Sequence, residues 1–176
     1  MNGKIKSMLA VLGEHLIYII LSFVLVNFLG NIFSKCLYVA SIITALIYVS
    51  TIYSSGWHES GKNLRSANEK VRLNPESKSN YRIYNGFIIA LPMFLISLFL
   101  FVMSKTLGEG LWRTLFRLYN AAFLFLFDLK GVTIFVEILA LFLPFTAYGL
   151  GYIAGKNKKI FVTKHFNKLI YKKKAE

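Results

Sequence analysis

The chain has 176 residues, of which 56% are hydrophobic and only 16% charged. A soluble domain carries about a quarter charged residues, so this composition points to lipid rather than to a soluble fold. The net charge of +13 would suggest nucleic acid in a soluble protein. Here Lys and Arg flank apolar segments, which assigns them to membrane topology and anionic phospholipids, with no nucleic-acid partner expected. The single cysteine, Cys36, permits no internal disulfide and no Cys-rich metal site.

Met1–Ser7, with Lys4 and Lys6, resembles the charged region of a signal peptide. The apolar run that follows, Leu16–Phe33, is longer than the roughly 7–15 residues of a signal core and lacks an Ala-x-Ala end. It reads as a retained span. A crossing helix needs roughly 20 mostly apolar residues, and four windows qualify: about 16–33, 37–53, 83–103 and 132–154. Gly30, Asn31 and Lys35 fill the short connection between the first two, which predicts a tight antiparallel hairpin.

Loop charge sets orientation. Sixteen Lys and Arg fall in the N-terminal tail, the loop 54–82 and the tail 155–176, against five (Lys35, Lys105, Arg113, Arg117 and Lys130) on the other side. The fold expected is therefore an all-α integral membrane protein of four transmembrane helices, with both termini in the cytoplasm.

Within the cytoplasmic loop, Trp57, Gly61, Leu64, Asn68 and Val71 recur near helical spacing, with Lys62, Arg65, Glu69 and Arg72 largely off that stripe. The second span is thus expected to continue as a helix until Asn74-Pro75 ends it. Trp57 is placed at headgroup depth. In the outer loop 104–131, Trp112, Leu115, Phe116, Tyr119 and Phe123 form an apolar stripe, with Arg113, Arg117 and Asn120 opposite. That pattern predicts an outer interfacial amphipathic helix. Ala121–Phe127 is too short to span, and is left either dipping into the bilayer edge or packing on the bundle. A fifth span over Leu111–Phe127 is the competing reading, opposed by its two arginines and Asn120. In the tail, Lys172, Lys173 and Lys174 close a basic amphipathic segment expected on the inner leaflet.

Glu137 is the sharpest candidate for chemistry. An ionised carboxylate inside a span costs roughly 2.5–3.5 kcal/mol even on lenient scales. It is either a proton or ion relay, or a structural carboxylate paired with Lys105, Arg113 or Lys130. Asn27 is expected to hydrogen-bond across helices. Glu14 and His15 are adjacent and do not share a helix face. Pro92 and Pro144 interrupt the third and fourth spans. Ala147, Gly151 and Gly155 recur every four residues, a spacing that lets helices approach closely.

No zinc-protease, phosphate-loop or nucleophile-elbow motif occurs, no paired carboxylates are visible, and His15, His58 and His165 are scattered. A catalytic, metal-binding or cofactor-binding role is therefore not expected.

Three stretches carry a resemblance: Tyr53–Asn63 leading to Asn68 and Val71, then Arg117–Phe123, then Pro144 with Tyr148–Lys156. They resemble a set of uncharacterised small four-span membrane proteins of low-GC Gram-positive bacteria. Those relatives usually carry an acidic residue near Asn63, which this sequence lacks. The resemblance implies the same topology and the bacterial plasma membrane, and no activity. The functional expectation is a non-enzymatic accessory or interaction subunit. It would present Trp57–Arg72 and the lysine tail to a membrane or cytoplasmic protein partner, or to anionic lipid. The alternative is a small oligomeric transporter or channel using Glu137.

Overall fold

The structure is a computed structural model that describes residues 3–73, 82–107, 110–129, 131 and 133–156. Among these residues every regular element is helical. The order is α1 (Gly3–Ile32), α2 (Leu37–Leu73), α3 (Asn85–Thr106), α4 (Leu111–Tyr119), a 3-10 segment (Ala121–Asp128) and α5 (Thr133–Lys156). Four of them, α1, α2, α3 and α5, are long and apolar enough to cross a membrane. They correspond to the four expected windows, with α1 and α2 running well past them. The lysines at 172–174, with Lys130 and Asn74-Pro75, lie outside the described residues.

The end of the bundle where α1 passes into α2 is called here the upper end. The turn Phe33–Lys35 reverses the chain there, closed by the Cys36 N–H donating to the Phe33 carbonyl at 2.8 Å. From that turn α2 runs unbroken for 37 residues toward the lower end. That is about 55 Å of helix, against about 30 Å for a hydrocarbon core. The buried face of the extension is not the stripe expected from Trp57, Gly61, Leu64, Asn68 and Val71. Gly56, Ser60 and Ala67 are buried instead, and Asn68 is exposed. The face is set by small residues that admit α5, not by the most apolar ones.

The α2–α5 contact is the most extensive in the bundle. A Cβ at Gly56 would strike the Tyr148 carbonyl, one at Gly151 the Tyr53 carbonyl, and one at Gly155 the Trp57 carbonyl and the Ser60 side chain. The two backbones therefore lie against each other. On the far side of α5, Gly86 of α3 accepts the Tyr152 side chain, and Gly149 accepts the ring of Phe87. Around this seam the core gathers Tyr48, Ile52, Ile89, Met93, Phe116, Phe123, Tyr148 and Tyr152. The outward face of α1 is different: Leu16, Ile17, Ile20, Leu21, Val24 and Phe28 are all uncovered by protein.

Gly56→Ala should lower stability by about 1–3 kcal/mol, because an inserted methyl forces the backbones apart. A Cβ at Gly61, one turn further along the same helix, would meet nothing within 4 Å. Gly61→Ala should therefore be neutral or stabilising by up to about 1 kcal/mol. Thermal unfolding of both variants in one detergent checks the contrast; equal shifts would contradict the close seam.

Candidate functional site

Three polar sites occupy three levels of the bundle. At the upper end, Glu137 on the first turns of α5 is buried, and its Oε2 lies 2.6 Å from Lys105 Nζ on the last turn of α3. The lysine is half exposed and also stands over the Phe101 ring at 5.5 Å. The pair ties the tops of two neighbouring helices. A carboxylate held this way has its charge compensated by the neighbouring ammonium.

The middle level is built by the segment between α3 and α5. The sequence places α4 flat in an outer interface, but in the structure it runs back down alongside α3. Trp112 meets Phe99, Phe116 meets Phe101, and the Tyr119 hydroxyl donates to the Met93 carbonyl at 3.1 Å. Met93 lies about 20 Å along α3 from its upper end. Asn120, expected on the polar face, is buried and donates to Ser97 Oγ (3.3 Å) and the Phe116 carbonyl (3.0 Å). The chain then climbs back as a 3-10 helix, whose Phe125 N–H donates to Ser41 Oγ of α2 at 2.9 Å. Runs of 3-10 helix this long are uncommon, and this one is held by tertiary contacts. Arg117 closes the hairpin by donating to the Leu124 carbonyl (3.2 Å) and to Asp128 (2.7 Å). Its guanidinium is thus engaged within the hairpin.

The tip of this hairpin meets His15. The ring is buried on α1, with Nδ1 2.8 Å from the Tyr48 hydroxyl and the Tyr119 ring edge-on at 4.8 Å. Its Nε2 has no protein partner. It borders a cavity of about 10 Å³ shared with Ser97, Asn120, Ala140 and Pro144, close to the size of one water molecule. Pro144 has no N–H, so the Ala140 carbonyl loses its usual helical donor there. The proline thus leaves a carbonyl without its helical donor on a residue that lines this pocket.

The lower level is a cleft of about 350 Å³ between α1 and α2, floored by α5. It brings together Glu14 and Glu59, two carboxylates 45 positions apart in the chain and not recognisable as a pair from sequence. Ser55 donates to Glu14. Ser7 (2.8 Å) and Asn63 (3.4 Å) donate to Glu59, and Asn63 also donates to the Tyr152 hydroxyl at 3.2 Å. Lys62, largely exposed, stands 3.9 Å from Glu59.

The remaining candidates fall elsewhere. Trp57 is half buried beside His58, with its indole N–H turned in and unpartnered in the protein. Arg65 is exposed on the lower extension of α2, while Trp112 and Arg113 are half buried on α4. Gly151 and Gly155 lie in the α2–α5 seam. Asn27 corrects its expectation: it is exposed and donates to the Phe23 carbonyl of its own helix at 2.7 Å, because its side chain points away from the bundle. Among the described residues no three His, Cys, Asp or Glu converge on a metal-sized site.

Removing one partner of a buried pair strands the other. Lys105→Met should destabilise by about 1–3 kcal/mol, and adding Glu137→Gln should recover most of it. A double-mutant cycle on thermal stability measures this, and strict additivity would count against the pair. Tyr48→Phe leaves His15 Nδ1 without its partner and should cost about 1–3 kcal/mol by the same assay.

No protein-family model, curated protein or solved structure matches the chain.

Proposed function

We propose that this chain is a multi-pass protein of the bacterial plasma membrane, with four spans and both termini in the cytoplasm, acting as a non-enzymatic accessory or interaction subunit. Four apolar helices and the uncovered apolar face of α1 support insertion. The sixteen-to-five division of Lys and Arg supports the lower end as the cytoplasmic one. On that placement Leu111–Asp128 enters from the outer side and returns to it.

The observation that carries the functional reading is the overhang of α2. About 20 of its 37 residues suffice to span. The rest continues as helix, packed on α1 and α5 as far as Glu59 and Asn63, with Arg65, Ser66, Asn68, Glu69 and Arg72 exposed beyond them. A rigid polar rod fixed at its base is suited to a cytoplasmic or membrane protein partner. The neighbouring basic residues suit anionic phospholipid headgroups. Transport past Glu137 has weaker support, because that carboxylate is already engaged by Lys105.

Cys36, the only cysteine, sits half exposed just beyond the upper turn. A membrane-impermeant maleimide should therefore label it in intact cells; labelling only after lysis would reverse the topology. Extraction from the native membrane into lipid nanodiscs should yield a stoichiometric second protein by native mass spectrometry. Arg65→Glu with Arg72→Glu should release that protein while the chain stays membrane-bound. A homo-oligomer with no second component would overturn the accessory reading.

A further inference from the structure

The cleft between α1 and α2 has a chemistry that the accessory role does not use. Its walls carry Glu14 and Glu59, with Val11 and Tyr18 as apolar surface beside them. Both carboxylates are oriented by neutral donors, Ser55 for Glu14 and Ser7 and Asn63 for Glu59. The nearby cation, Lys62, is 72% exposed and 3.9 Å from Glu59, a loose surface pairing.

A second observation is independent of the acids. Tyr148 of α5 lines the cleft with 0% of its surface exposed, and its hydroxyl has no hydrogen-bond partner. The tyrosine shares this lining with both Glu59 and Glu14. Buried hydroxyls are nearly always paired. This one is held in place by the α2–α5 seam, since its own backbone carbonyl abuts Gly56.

We propose that this cleft binds a small organic cation through a primary ammonium group, held by Glu14 and Glu59, with the Tyr148 hydroxyl as a third acceptor. An ammonium carries three donors and no acceptor, which matches two carboxylates and one phenol oxygen. The cleft is about 350 Å³, against about 10 Å³ for the water-sized cavity beside His15. The space therefore admits an alkyl portion, which the apolar wall of Val11 and Tyr18 covers. A hard divalent ion is a poorer fit. It takes six or more oxygens at close range, and among the described residues no three acidic or other metal-binding side chains converge.

The test uses the full chain in lipid nanodiscs, with butylammonium chloride as the probe and sodium and calcium chloride at matched ionic strength as comparisons. Saturable calorimetric binding of butylammonium is expected, together with a rise in unfolding temperature that neither salt reproduces. Glu14→Gln and Glu59→Gln should each weaken binding by about tenfold or more, as loss of a charge-assisted hydrogen bond does. Tyr148→Phe separates a site from a structural role. It should weaken binding several-fold while leaving the unliganded protein at least as stable as the wild type, because the hydroxyl it removes has no partner. No saturable binding, equal binding by the double Glu14→Gln, Glu59→Gln variant, or an equal shift with either salt would overturn the proposal. So would a Tyr148→Phe variant that binds like the wild type.

Discussion

Backbone-to-backbone contact between α2 and α5 sets the geometry of everything else. With Gly56 on one helix and Gly151 and Gly155 on the other, no side chain keeps the two apart, and the register is fixed by which carbonyl sits over which glycine. In lipid, where burial of apolar surface gives helices no reason to associate, such dispersion contacts are a main source of cohesion. The same register aims two tyrosines. Tyr148 is turned toward the α1–α2 cleft, and Tyr152 lies against Gly86 of α3 while its hydroxyl meets Asn63. One seam therefore positions polar groups on both of its flanks.

The second constraint is satisfaction of backbone and side-chain polarity within an apolar bundle. Irregular backbone at membrane depth persists only where protein surrounds it. The segment from α4 through the 3-10 helix meets that condition at each weak point: Asn120 bridges to Ser97, Phe125 N–H finds Ser41, and Arg117 takes up the Leu124 carbonyl. His15 and Tyr48 join the same interior, so α1, α2, α3 and the hairpin meet through polar atoms as well as through rings.

What the sequence makes legible follows from signal length. The four apolar helices are evident because each repeats one property over many residues, and the continuation of α2 because helical spacing persists beyond its apolar window. Faces decided by a few small residues are not legible. Gly56, Ser60 and Ala67 have little hydropathy of their own, so a reading by apolar content settles on Trp57, Leu64 and Val71 instead. Asn120 and Asn27 exchange their expected environments for a similar reason: an amide in an apolar context says that it needs a partner, not where the partner is. Glu14 and Glu59 come from different helices, and only the packing of α1 on α2 makes them neighbours. Asp128, eleven residues after Arg117, is likewise a partner that no local pattern announces.

The hairpin between α3 and α5 also bears on how the chain matures. Its bond from Phe125 to Ser41 joins positions 84 residues apart, and its rings nest against segments made long before and shortly after it. Closing such distant contacts requires the surrounding helices to be assembled first. In a membrane, the last event of biogenesis would then be the segment between α3 and α5 folding back into a bundle already in place. The rate at which functional molecules accumulate would be governed there, rather than by the speed at which the spans enter the bilayer.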